Sequence, residues 1–363
     1  MKNRKILFIA SHRPDRSPGQ RYRFEQYFTF LRENGYDCEL SYFLTEADDA
    51  AFYSPGNIIQ KFLITIRSAR KRMKDVRRAS QFDIIFVQRE AFMTGSTYFE
   101  KKFSQSTAKM VFDFDDSVWL LDTSNANKMW QWMKSATKTG EIIAMSDLVF
   151  AGNQYLFDYA KTFNSNVKII PTTINTKTFC RKEEYKNNEQ ICIGWSGSHT
   201  TIKHFEAAVP FLKKIKEKYG NKICFKVMGD PTYENNELGI KGIKWTSESE
   251  VSTISSFDIG IMPLPDDQWV KGKCGLKGLS YMALEVPTIM SAVGVNPEII
   301  DDGNNGFLAS TDEEWIDKIS QLIESFGLRK KLGLNGRKTV EDRYSIESQK
   351  NNYLNAFNEL LKR

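Results

Sequence analysis

Three carboxylates crowd the end of one apolar run: Val111-Phe-Asp-Phe-Asp-Asp-Ser117 carries Asp113, Asp115 and Asp116. Such a run reads as a buried strand, and carboxylates at its tip are costly unless they are paired or put to use. Strand alternation sets Asp113 and Asp115 on one face and Asp116 on the other. Capping of the next turn by Asp116 or Ser117 is the plain alternative, and an Asp-x-Asp metal motif is another. A second cluster lies at 271–284, where a glycine-containing loop opens a helix expected at about 275–284. Lys271, Lys273 and Lys277 sit near the positive end of that helix dipole, an unfavourable place for cations. A bound anion on the free N–H groups of Gly275 and its neighbours would resolve the conflict; a solvated basic loop is the alternative. The segment Gly194-Trp-Ser-Gly-Ser-His-Thr-Thr-Ile-Lys203 also follows a strand and opens a helix. There Gly197, Ser198 and Thr200 suit close backbone approach or an N-cap. In Ser17-Pro-Gly-Gln-Arg-Tyr-Arg23, Gly19 permits close approach, and Arg21 and Arg23 meet phosphate or are solvated. In Gln88-Arg89-Glu90 the simplest reading is a surface ion pair between Arg89 and Glu90.

The elements that must position these groups form two series. Strands are expected at 5–10, 37–43, 83–88, 109–114, 147–151 and 167–170, with a helix at 21–34. Residues 172–189 are polar and aperiodic and read as a linker. Strands at 190–195, 223–228, 242–245, 259–263 and 288–291 follow, with helices at 202–219 and 346–361. Strand–helix alternation argues for parallel sheets with crossover helices. Two such halves suggest Rossmann-like domains facing a cleft, with ligands beyond the carboxyl ends of the strands.

The chain has 363 residues, with 51 Lys/Arg against 45 Asp/Glu, a formal +6. Forty-one per cent hydrophobic residues suit a folded rather than a disordered chain. No apolar run reaches the roughly 18 residues of a membrane span, and the run at 6–10 is too short for a signal sequence. The five cysteines (38, 180, 192, 224 and 274) form no CxxC or Cys/His cluster, so neither a disulfide framework nor structural zinc is expected. The basic excess is local: residues 1–80 hold 16 Lys/Arg against 9 Asp/Glu. Within 58–80, Ile59, Phe62, Leu63, Ile66, Ala69, Met73 and Val76 follow helical spacing. Lys61, Arg67, Arg70, Lys71, Arg72, Lys74, Arg77 and Arg78 surround them, with Asp75 the lone acid. A basic amphipathic helix reads as a membrane-surface device; nucleic-acid binding is the rival use, and an ordinary domain helix with a solvated basic face is the plain alternative.

The segment 271–308 resembles the C-terminal donor-binding motif of the family 4 glycosyltransferases, retaining enzymes of GT-B fold. Tyr281-Met-Ala-Leu-Glu-Val-Pro287 fits its middle, and Glu298-Ile-Ile-Asp-Asp-Gly-Asn-Asn-Gly-Phe-Leu308 its end. Two motif glutamates, eight positions apart, are matched here by Gly272 and Ser280. The resemblance gives Ser280 a weaker version of the ribose contact and leaves the phosphates to Lys273 and Lys277. Lys203 sits where the family's diphosphate-gripping lysine belongs; the companion arginine has no match at Ser196 or Gly197. Trp245-Thr-Ser-Glu248 resembles the stretch that lines the nucleotide base. Asp115 falls where several members carry a strand-end histidine against the donor sugar. A carboxylate there would stabilise an oxocarbenium-like transition state or hold an acceptor hydroxyl. The first loop resembles the Gly/Ser–Arg signature of a bacterial polysaccharide-assembly branch, with Gly19, Arg21, Arg23, Arg89 and Glu90 on the acceptor side.

The resemblance implies an α/β, GT-B chain. Its parts would be an acceptor domain at 1–171, a linker at 172–189, a donor domain at 190–345 and a final helix at 346–363 crossing back to the first domain. The expected reaction moves a sugar from a nucleoside-diphosphate sugar to a saccharide acceptor on a lipid, in cell-surface polysaccharide synthesis. Donor contacts fall on Gly197, Ser198, Lys203, Trp245, Lys273, Gly275, Leu276, Lys277 and Ser280. No metal cofactor is expected, and the location is cytoplasmic, peripheral on the inner face of the plasma membrane. A sugar-nucleotide 2-epimerase of the same fold, or a catalytically silent sugar-nucleotide-binding module, are the alternatives.

Overall fold

The computed structural model describes residues 3–54, 56–120, 135–181, 185 and 187–362. It divides into two compact units: Met1–Pro171 with Gln349–Arg363, and Thr172–Ser348.

The first unit is built on a six-stranded parallel sheet: β1 (Arg4–Ile9), β2 (Tyr36–Ser41), β3 (Ile84–Gln88), β4 (Lys109–Phe114), β5 (Leu148–Ala151) and β6 (Val167–Ile169), in the order β2-β1-β3-β4-β5-β6. Ile6 to Ile9, Ile84 to Val87 and Met110 to Phe114 are all fully buried. Apart from Asp113, these runs are apolar because a parallel sheet is covered on both faces. The order reverses between β1 and β3, so the crevice beyond their carboxyl ends is the natural ligand position. The expected helix at 21–34 is broken into Pro18–Arg21, a 3-10 turn at Glu25–Tyr27 and Phe28–Glu33. Its break falls at Phe24, next to Arg23, whose side chain turns fully inward. The C-terminal helix Ile346–Leu360 passes into this unit, where Tyr353 stacks on Tyr27 at 4.3 Å and donates a hydrogen bond to Arg23 O.

The second unit holds β7 (Ile191–Ser196), β8 (Ile223–Met228), the two-residue pair β9 (Glu234–Asn235) and β10 (Ile240–Lys241), β11 (Ile259–Met262), β12 (Thr288–Ser291) and β13 (Phe307–Ala309). Its main sheet is parallel in the order β13-β12-β11-β7-β8 and reverses between β7 and β11. The strand expected at 242–245 is absent. A single bridge joins Ile243 to Met228, and Gly242 lies so close to the Asp230 carbonyl that a Cβ would stand 1.9 Å from it. The helix expected at 202–219 divides into Ile202–Glu206 and Val209–Tyr219, with a proline at the start of the second. Of the segment read as a linker, residues 182–184 and 186 lie outside the described residues. Thr172, Thr173, Ile174 and Phe179 are buried, and Ile174 N–H donates to Tyr344 O at 2.8 Å.

Candidate functional site

In the first unit the functional groups gather at the β1/β3 reversal and the neighbouring end of β4. β4 ends at Phe114, so Asp115 and Asp116 lie in the turn beyond it and no longer alternate between faces. Both turn to one arginine: Arg89 Nε donates to Asp115 Oδ1 at 2.8 Å and Nη2 to Asp116 Oδ2 at 2.7 Å. Burial opposes the Arg89 charge, but the two carboxylates outweigh it and raise its pKa. Its backbone is left-handed (φ 60°), and its N–H donates to Asp113 O at 2.8 Å. That conformation is strained for a non-glycine residue. Gly19 lies against the pair: a Cβ there would be 3.3 Å from Asp115 Oδ2 and 3.5 Å from Arg89 Nη2. Beside them His12 bonds Tyr53 Oη through Nε2 at 2.6 Å, and burial, then Arg16, push its pKa down to about 4. It is therefore neutral at neutral pH.

Four residues expected in the first unit's site take other roles. Asp113 and Arg23 are both fully buried, and Arg23 Nε and Nη2 donate to the two carboxylate oxygens of Asp113. Arg23 also donates to Ile170 O. Burial opposes its charge, but Asp113 outweighs that and raises its pKa well above the ordinary value. Asp113 therefore cannot touch substrate, nor Arg23 a phosphate. Glu90 does not pair with Arg89; it accepts from Lys138 Nζ at 2.7 Å, and the same amine donates to Phe92 O and Thr94 O, both at 2.6 Å. Arg21 lies 3.6 Å from Asp15 and stacks over Tyr22.

The helix Ile58–Arg78 inverts its expected faces. Its buried line is Lys61, Ile64, Ser68, Arg72 and Asp75. Arg72 is fully buried because its guanidinium satisfies carbonyls from three separate segments, at Ala10 (2.5 Å), Ser41 (3.3 Å) and Ala91 (2.6 Å), and pairs with Asp75 at 3.1 Å. Lys61 and Arg72 cannot meet a membrane. Arg67 is tied to Asp48, Arg78 to Asp75 and Glu39, and Lys71 lies over Tyr42. Arg70, Lys74 and Arg77 are exposed, as are Ile58, Ile59 (78%), Phe62 (58%) and Leu63.

In the second unit the cations flank the β7/β11 reversal. Lys203 and His204 follow β7; Lys273 and Lys277 follow β11. Burial, then Lys277, Lys273 and Lys203, push the His204 pKa down to about 4. Lys277 Nζ stands 4.4 Å from the Trp195 ring centre, and burial, then Lys273, lower its pKa to about 7. Lys273 lies over Trp269. Gly275 takes a left-handed φ of 70° as the N-cap of Leu276–Ala283, and a Cβ there would meet Ile299 at 2.4 Å. Gly197 crosses the Trp195 ring at a distance that leaves no room for a Cβ (2.1 Å). Ser198 is exposed and closes a capping box with Thr201. Ser280 is buried and donates to Leu276 O at 2.9 Å, into its own helix. Trp245 is half-buried just before Thr246, which caps Ser247–Ser255.

Residues 190–325 match the family model described as "Glycosyl transferases group 1". The chain is 30% identical over 281 residues to spore coat protein SA of Bacillus subtilis, covering 67% of this chain and 72% of that protein. It belongs to the group 1 glycosyltransferases. This glycosyltransferase is also 25% identical over 187 residues to the capsular polysaccharide biosynthesis glycosyltransferase CapM of Staphylococcus aureus, covering 46% of this chain and 47% of that protein. Its fold is the GT-B fold: Anabaena Alr3699/HepE, solved in complex with UDP and glucose, superposes with a TM-score of 0.69 over 98% of this chain and 100% of that one, at 13% identity.

Sequence reasoning missed several groups in the two strand-end clusters. His12 lies three residues beyond the end of β1 and Trp195 near the end of β7, so proximity to strand ends could have flagged both. Lys138 and the pairing of Arg89 with the β4 turn carry no local signal.

Proposed function

We propose that this glycosyltransferase uses a nucleoside-diphosphate sugar, transfers with retention of configuration as a family 4 enzyme, and acts on a lipid-linked saccharide at an anionic membrane surface. The observation that carries the donor assignment is Lys277. An amine held near a pKa of 7 by burial and Lys273, with His204 alongside, gains from a polyanion, whose negative charge favours the ammonium form. Lys203, Lys273 and Lys277 take the leaving diphosphate charge, with the N–H groups around Gly275 beside them. In the first unit, Asp115, held by Arg89, supplies the carboxylate that acts at the reacting sugar or the acceptor hydroxyl. Guanidinium groups already partner all three carboxylates, so no metal is assigned to them.

The sign of the pH effect follows. Lys277 has a free pKa near 7, against an ordinary value of 10.5, and a bound diphosphate raises it again. Between those values binding must take up a proton, so affinity for UDP- or GDP-linked donors falls as pH rises from 7 to 9. The slope approaches tenfold per unit at most. Lys277→Met should bind about 10- to 100-fold more weakly at pH 6.5 and lose most of this pH dependence. Thermal shift against each donor class measures both, since a ligand of the native state raises the melting point by mass action. A flat wild-type profile would remove Lys277 from the diphosphate site.

Support for the membrane reading is the outer face of Ile58–Arg78: apolar Ile58, Ile59, Phe62 and Leu63 in its first two turns, then exposed Arg70, Lys74 and Arg77. Each such cation near an anionic leaflet contributes about 1 kcal/mol. Replacing Arg70, Lys74 and Arg77 with serine should weaken partition onto phosphatidylserine vesicles about 100-fold, with donor affinity unchanged. Equal vesicle binding by wild type and variant would count against this surface.

A further inference from the structure

Cys192 and Cys224 each occupy the second position of their strand, β7 and β8, and are direct partners in the parallel register. Neighbouring strands run about 4.8 Å apart, inside the window of roughly 4.4–6.8 Å between Cα atoms that a disulfide spans. Ile191, Ile193 and Trp195 on β7, with Ile223, Phe225 and Val227 on β8, face the core of the unit. Alternation therefore puts both thiols together on the opposite face, where they hydrogen-bond each other.

The two thiols are not equivalent. Cys192 is buried, and its bond to Cys224 and its burial hold it as the thiol. Cys224 is half-buried, and the bond from Cys192, with help from Lys226, brings its pKa down to about 7. A reachable sulfur with thiolate character beside a resolving thiol is the arrangement that exchange chemistry needs. The other cysteines lack it. Burial pushes the Cys38 thiol up to about 12, while Cys180 and Cys274 donate to the carbonyls of Lys177 and Gly272.

We propose that Cys192 and Cys224 form a reversible dithiol–disulfide pair, oxidised by exchange with a low-molecular-weight disulfide. The Cys224 thiolate attacks one sulfur of the disulfide, forming a mixed disulfide and expelling a thiolate. That thiolate takes the Cys192 proton, and the Cys192 sulfur attacks Cys224 Sγ. The protein disulfide forms and a second small thiolate leaves, to be protonated by water. The two protein sulfurs lose two electrons, which reduce the small disulfide to two thiols. The bond would staple β7 to β8 at their amino ends, away from the turns at Gly197 and Gly229 that close the opposite ends.

The test is incubation of the reduced full-length protein with oxidised glutathione, alkylation of remaining thiols and peptide mass mapping. The expected result is a Cys192–Cys224 cross-linked peptide that dithiothreitol reverses, accompanied by a raised melting midpoint. Cys192→Ser should trap glutathione on Cys224, and Cys224→Ser should leave Cys192 unmodified; both keep the shape of the residue. A wild-type protein that holds glutathione stably on Cys224, modifies neither residue, or cross-links either to another cysteine would overturn the assignment. The outcome is independent of which donor or acceptor the enzyme uses.

Discussion

Asp115→Asn should lower the turnover of sugar transfer by about 10²- to 10³-fold, the range seen when one preorganised electrostatic group is lost from an active site. The substitution keeps the size of the side chain and an oxygen for Arg89, but removes the negative charge that opposes a developing oxocarbenium ion. Arg89 would still pair with Asp116 at 2.7 Å, so the turn after β4 should keep its shape and the melting point should move little. Donor affinity, read by thermal shift, should stay within a few-fold because the cations assigned to the diphosphate lie in the other unit. Turnover equal to wild type would remove Asp115 from the chemistry. A raised KM with unchanged turnover would reassign it to acceptor binding. Asp116→Asn is the internal comparison, with the smaller loss.

Asp113→Ala should act in the opposite way. Asp113 and Arg23 are both fully buried, and removing the carboxylate strands a guanidinium whose other described acceptor is Ile170 O. Breaking such a pair costs about 3–5 kcal/mol. For a unit of this size that is a fall in melting temperature of roughly 6–20 °C. Below that transition, turnover per folded molecule should remain near wild type, because Asp113 reaches no substrate. A melting temperature within a degree or two of wild type would show that the buried pair is not what holds the β4 end. The two variants thus separate neighbours that look alike in sequence: one carboxylate for chemistry, one for architecture.

The strands were legible because a parallel sheet buries both faces and so writes uninterrupted runs such as Ile6 to Ile9. The group 1 motif was legible for a related reason. Tyr281 to Leu284, Val286, Ile299 and Ile300 are all buried, so the residue types that carry the resemblance are fixed by packing. What could not be read was pairing between distant segments. Nothing near Arg89 says that its guanidinium forks onto a turn 26 residues later, or that the neighbouring Glu90 answers to Lys138. The helix Ile58–Arg78 misled for the same reason. Counting its cations as solvent-facing ignores that Arg72 ends three separate backbone segments at once, a role only the folded chain defines. Likewise Ser280 occupies a motif position, yet its hydroxyl is taken by the helix carbonyl at Leu276, a competition local sequence does not record.

The first unit is assembled from two stretches of chain separated by the whole of the second. Tyr353, which caps the Arg23 carbonyl and stacks on Tyr27, is made after the 177 residues of Thr172–Ser348. As the chain leaves the ribosome, the uninterrupted second unit can close first, while the first must wait with its aromatic core uncovered. The half translated first is therefore the half completed last, and its core stays open until the helix Ile346–Leu360 has been made.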